Sequence, residues 1–202
     1  MRTVASLVTA LAASTGCISL GSSPPPNTYI LSPTVPADPV ATDLKGAGGV
    51  LGVASPRVPD YLERPQIVTL RSPNQVELDE FSRWAELPSA AVKRVLAQDL
   101  GALLPGWQVV EQPWDPAAPV TVRLLVDVQE MGWNPEGEAR LRASWALVSG
   151  TGVPARVRGE ANVGRRAASA RPDDGVAALS ELLGDLAREV AGAVRRLPLQ
   201  AP

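Results

Sequence analysis

The chain has 202 residues, 45 % apolar and 20 % charged, with 19 Lys and Arg against 21 Asp and Glu. This suits one domain and a tail, and it lacks the basic field that draws nucleic acid. There is no histidine, which excludes Ser-His-Asp and Cys-His nucleophile systems and every histidine-ligated metal site. The single cysteine, Cys17, can form neither an internal disulfide nor a thiolate cluster, so its role is sought in processing.

Arg2 supplies a positive start, and residues 4–13 form an apolar stretch free of acidic groups, the pattern of an export signal. It is too short to cross a bilayer, which needs ~20 apolar residues. Ser14, Thr15 and Gly16 lead into Cys17 and resemble a bacterial lipobox, which makes residues 1–16 a signal peptide and Cys17 the lipidated N-terminus. Several acyl chains at ~0.8 kcal/mol per buried CH₂ make a stable anchor. This covalent lipid is the one non-protein group expected; no catalytic residue, metal or cofactor is. In enteric bacteria Asp after the cysteine retains a lipoprotein in the inner membrane. Ile18 stands there instead, so the expected location is the periplasmic face of the outer membrane.

Residues 17–48 read as the lipidated cysteine and a Pro-, Gly- and Ser-rich tether, and 49–200 as a single globular domain. Within the tether Tyr29, Ile30 and Leu31 form a short apolar run, read as an edge strand docking on the domain. Gly46, Gly48 and Gly49 resemble half a nucleotide loop, but the strand-like 50–54 follows where a helix N-terminus would have to hold the phosphate. Segments 66–70 and 76–80 flank the turn cluster Ser72, Pro73 and Asn74 and predict a hairpin with Val68 beside Leu78 and Leu70 beside Val76. In 88–104 apolar residues recur at three- and four-residue spacing until Pro105 and Gly106, which predicts a helix with one buried stripe. A short strand over 107–110 follows. Strict alternation over 120–130, 139–147 and 153–163 then predicts three long antiparallel strands. After Pro172 and Asp173 a second amphipathic helix runs to Leu197. The fold class is α+β, an antiparallel or mixed sheet of about six to seven strands with two amphipathic helices packed on one face.

Asp127, Arg142 and Glu160 are the charges most easily mistaken for acid–base machinery. A loop over 132–137 sets Asp127 opposite Arg142, and a turn at 150–152 sets Arg142 opposite Glu160, a solvent-facing row of alternating charge. The two lysines, Lys45 and Lys93, fall in the tether and on the polar side of a helix, so a Ser-Lys dyad has no support.

Segment 58–86 is the part that periodicity explains least. Pro59 suits the start of one helical turn, and Pro65 pushes Arg64 into an extended conformation. Tyr61 and Trp84 suit either a binding surface or a sheet edge closed as core, and composition does not choose between them. The run Val58, Pro59, Asp60, Tyr61, Leu62, Glu63, Arg64, Pro65, Gln66, Ile67, Val68 and the later Arg83, Trp84, Ala85, Glu86, behind a lipobox and tether, resemble the PqiC-like members of the ABC-type transport auxiliary lipoprotein family. The resemblance implies a non-enzymatic periplasmic subunit anchored in the outer membrane. Its partner would be a mammalian-cell-entry-domain protein that spans the envelope for lipid transport, which the subunit docks to the outer membrane. A homo-oligomer is also compatible. The partner surface is placed on Tyr61, Leu62, Arg64, Arg83 and Trp84. The alternative is a periplasmic carrier lipoprotein for lipid or another hydrophobic ligand.

Overall fold

The structure, a computed structural model, describes residues 25–36, 49–115, 119–150 and 155–197; Cys17, Lys45, Gly46, Gly48 and Val153 lie outside them. Its elements in chain order are β1 (Asn27–Tyr29), β2 (Gly49–Val53), β3 (Gln66–Ser72), β4 (Gln75–Trp84), α1 (Pro88–Leu103), β5 (Trp107–Glu111), β6 (Val122–Trp133), β7 (Glu138–Ser149), β8 (Ala155–Arg166) and α2 (Pro172–Arg195). The class is mixed α+β, as the periodicity predicts. The eight strands are divided between two sheets, ordered β1-β4-β3 and β5-β2-β6-β7-β8, where the sequence suggests one.

The larger sheet carries the core. β2 pairs parallel with β5 and β6, while β6, β7 and β8 run antiparallel. Leu124, Val128, Leu141, Ala143 and Leu147 point to the face covered by both helices and are buried with Val92, Leu96, Leu182 and Leu186 from the helical stripes. This burial is the main stabilising term, because each Leu or Val removed from water contributes ~1.5–3 kcal/mol. Pro at the first turn starts both helices, since its missing N–H has no intrahelical partner to lose. Gly159, paired with Trp145 across β7 and β8, leaves room for the indole: a Cβ there would lie 2.4 Å from Trp145 Cζ2.

The charged row does not form as the sequence suggests. Asp127 pairs with Ser144, and Arg142 pairs with Glu130 on one side and Asn162 on the other; Glu160 lies opposite Ser144. The β6–β7 hairpin closes later than the loop over 132–137 suggests, with Trp133 opposite Ala139, and the β7–β8 pairing is displaced as well, with Arg142 opposite Asn162; a further register shift between Val128 and Glu130 leaves an extra residue in β6. A bulge of this kind reverses which residues face inward. Beyond it Met131 and Trp133, rather than Glu130, turn to the core, and Trp133 Nε1 donates to the carbonyl of Ala170 at 3.2 Å. Asp127 instead faces Arg57, 4.0 Å away, and Glu130 faces Arg142 at 3.8 Å.

The smaller sheet lies beside the larger one, with β3 approaching β6. Its hairpin register is as predicted, Val68 opposite Leu78 and Leu70 opposite Val76. Gly132 permits the approach, since a Cβ there would lie 3.3 Å from Leu70 Cγ. β1 adds in parallel at the β4 edge, Tyr29 opposite Trp84. Residues 27–35, inside the segment expected as a tether, are thus held on the domain; the edge strand expected at 29–31 forms at Asn27–Tyr29, and Leu31 is 1 % exposed.

Candidate functional site

The two non-periodic segments, 58–66 and 83–86, meet in space at the start of α1. Pro59 opens a tight turn in which the N–H groups of Leu62 and Glu63 both donate to its carbonyl, at 2.9 and 3.2 Å. That turn aims Glu63 at the helix: Oε1 accepts from Ser89 Oγ at 2.6 Å and Oε2 from the Ser89 N–H at 3.2 Å. A carboxylate here satisfies an otherwise orphaned donor and complements the positive helix end. Leu87, at the N-cap position, has no side chain able to do so. Pro65 ends the turn, its carbonyl accepts the Trp84 N–H at 2.7 Å, and Gln66 pairs with Arg83. Glu86 forms an ion pair with Arg94, whose Nη2 also donates to the Leu31 carbonyl at 2.8 Å.

That last contact leads to a strap, residues 31–36, laid against both helices. The Ser32 N–H donates to Ser180 Oγ at 3.1 Å, and Ser180 in turn donates to the Val176 carbonyl. The N–H groups of Thr34 and Val35 both donate to Asp99 Oδ1 at 3.0 Å. Asp99 is fully buried on α1, and burial raises its carboxyl above the usual range against the opposing pull of those two N–H groups and of Arg188; Glu181 adds to the rise. Gly184 of α2 lets the strap approach, because a Cβ there would sit 2.2 Å from Thr34 Oγ1. Sequence reasoning passed over Asp99 and Ser180. Their signal was available: each is a polar residue on the apolar stripe of its helix, next to Leu100 and Leu179.

The five residues proposed from the sequence as a partner surface fall in three environments. Leu62 is 4 % exposed and belongs to the core, which removes it as a contact residue: the helical turn begun by Pro59 points it inward. Tyr61 and Trp84 are half-buried and pack against the core. The Tyr61 phenol is raised above its ordinary pKa, first by burial and then by Glu130, with Arg142 opposing. Arg64 is half-buried and Arg83 exposed, and strand pairing at Gln66 and Arg83 brings their segments side by side. Asp127 and Glu160 line an open groove of about 770 Å³ on the outer face of the larger sheet, together with Arg57 and Arg158. Neither lies in the desolvated pocket a general acid would need. Lys93 donates to the Gln112 carbonyl at 2.6 Å and has a structural role. Among the described residues no group of His, Cys, Asp and Glu could hold a metal, and no helix is long and apolar enough to cross a membrane.

Residues 29–191 match the family model described as ABC-type transport auxiliary lipoprotein component. No curated protein matches the sequence. Among solved structures, an uncharacterized protein superposes with a TM-score of 0.69 at 20 % identity, over 85 % of this chain and 99 % of its own. A Xanthomonas campestris protein superposes with a TM-score of 0.66 at 16 % identity, over 83 % and 94 %. At these identities the likeness is one of fold.

Proposed function

The chain belongs to the ABC-type transport auxiliary lipoprotein family, and from that premise we propose that it is a docking subunit of a mammalian-cell-entry-type lipid transport system. In this reading Cys17 carries the lipid, the anchor sits in the outer membrane, and the domain holds the periplasm-spanning component there. The observation that carries the reading is the meeting of the two family-like segments at one corner, where hydrogen bonds to Pro65, Ser89 and Leu31 fix the backbone before any partner arrives. Geometry set in advance lowers the ordering cost of binding. The corner offers Arg64, Arg83 and the half-buried rings of Tyr61 and Trp84, residue types that dominate protein interfaces. The carrier alternative has less support, since the space between the larger sheet and the helices is filled by side chains such as Leu96, Leu124, Leu141 and Leu182, each at or below 1 % exposure.

The test is capture of the mammalian-cell-entry-domain partner by the lipidated protein, with melting measured on the same samples. Arg64→Ala and Arg83→Ala should weaken capture several-fold while Tm stays nearly unchanged. Full capture by both stable variants would remove these arginines from the interface. The Cys17→Ser protein should appear in the soluble periplasmic fraction, and an unmodified Cys17 in mass spectra of the mature wild type would overturn the anchor.

A further inference from the structure

The chain has one phenylalanine, and it is exposed: Phe81 is 58 % accessible, more than any other large apolar side chain among the described residues. Its position is built. On β3 the pairing passes from Gln66 to Ile67 in one step, while on β4 it passes from Arg83 to Asp79, so Glu80, Phe81 and Ser82 bulge out of the ladder. Bulges re-aim side chains. The Phe81 N–H is held by Asp79 Oδ1 at 2.8 Å, and Ser82 pairs with Asn27, the first residue of β1. Phe81 therefore stands where the chain enters the fold. Ile30, 51 % exposed, follows β1, and Pro135, Ala170 and Pro172 share an open groove with Phe81.

The length of chain preceding this point selects what covers the patch. Cys17 and Asn27, where β1 begins, are ten positions apart. Ten residues span at most about 36 Å fully extended, and about 17 Å as a flexible coil. A domain of this size is about 35–40 Å across. With the lipid in the bilayer, a coiled leash of this length keeps the entry point within about half a domain's width of the membrane, which favours the entry side as the side that faces the surface.

We propose that the Phe81 bulge is a membrane-contact surface that inserts an aromatic side chain into the interfacial region of the bilayer holding the anchor. The proposal rests on lipidation of Cys17. It gives the exposed ring a solvent and fixes the orientation of the domain, turning the α1 corner with Arg64 and Arg83 into a surface of set direction. Charges around the bulge are mixed and slightly acidic, Glu77, Asp79 and Glu80 against Arg71 and Arg83, with Arg71 paired to Glu77. Contact therefore depends on apolar burial and the short leash rather than on anionic lipid.

Since Cys17 is acylated in this reading, Phe81→Cys places one free thiol for an environment-sensitive nitrobenzoxadiazole label on the lipidated full chain, and Asn162→Cys on β8 provides an exposed control. Both are reconstituted in phosphatidylcholine vesicles containing a spin-labelled lipid. The label at position 81 should be blue-shifted and quenched several-fold more than the label at 162, with Tm close to wild type for both. Equal, weak quenching at the two positions, with mass spectrometry showing acylated Cys17, overturns the membrane contact and leaves the anchor standing. A bare Cys17 and protein that does not float with the vesicles overturns both, and the mass distinguishes the two failures.

Discussion

In the five-stranded sheet, position is decided by apolar side chains: Leu124, Leu141 and Leu147 meet Leu182 and Leu186 of α2, and polar groups stay on the outer face. In the strap and the corner at α1, position is decided by single polar side chains that reach across the chain. Asp99 holds Thr34 and Val35, Ser180 holds Ser32, Glu63 holds Ser89, and Arg94 holds Leu31. The difference teaches that one region gains stability from area, distributed over many residues, whereas the other gains geometry from a few bonds. The second region can then be altered by one substitution without unfolding the first, which suits the part of the domain that receives an anchor and, in our reading, a partner.

Substitutions in the two regions should separate clearly in size and in kind. Trp133→Ala should have the largest effect, a loss of about 3–5 kcal/mol measured by denaturant unfolding, because a fully buried indole leaves a cavity. Asp99→Ala should cost about 1–3 kcal/mol by leaving two N–H groups of the strap without their acceptor, with the spectrum of the sheet unchanged. Asp99→Asn keeps an acceptor oxygen and sharpens the point through pH. Burial raises the Asp99 carboxyl above its ordinary 3.8, so the folded protein binds this proton more tightly than the unfolded chain. The corresponding stability is fully present below the unfolded value and is lost as pH rises through the folded one. Wild type should therefore gain stability relative to Asp99→Asn as pH is lowered through that window, and parallel profiles would contradict the assignment. Glu63→Ala should cost about 1 kcal/mol, the usual scale for a lost helix cap, and should loosen the first turn of α1 in hydrogen exchange. Asp127→Asn should cost less than ~1 kcal/mol, since its pair with Arg57 is solvated on both sides.

The two regions also differ in how far they could be read from the amino-acid order. Period-two alternation and helical stripes placed β6, β7, β8, α1 and α2 because burial on one face writes itself directly into the sequence. The turn cluster at Ser72, Pro73 and Asn74 even gave the β3–β4 register. What escaped is what one residue can change. The extra residue in β6 near Gln129 leaves no compositional mark, yet it turned Met131 and Trp133 inward, and the exact closing of the hairpin at Trp133 and Ala139 set Arg142 opposite Glu130 rather than Asp127. Similarly, a Pro-, Ser- and Ala-rich stretch reads as tether; the apolar run at Tyr29, Ile30 and Leu31 marks docking near its middle, and for the residues that follow the signal lies in the polar residues Asp99 and Ser180 set into apolar stripes. Segment 58–86 was visible as unusual, but its local order does not say that Leu62 points inward while Arg83 points out; that is set by the Pro59 turn and by the pairing with β4.

The claim on which the account turns is that the strap belongs to the fold, so that in our reading an anchor on Cys17 leads into the domain after ten residues rather than after a long free tether. Hydrogen exchange at the Thr34 and Val35 amides of the lipidated wild-type protein tests it most directly. The account predicts strong protection at both amides, lost in Asp99→Ala while the amides of Leu124 and Leu141 keep theirs. Exchange at Thr34 and Val35 in wild type as fast as in an unstructured peptide would contradict it.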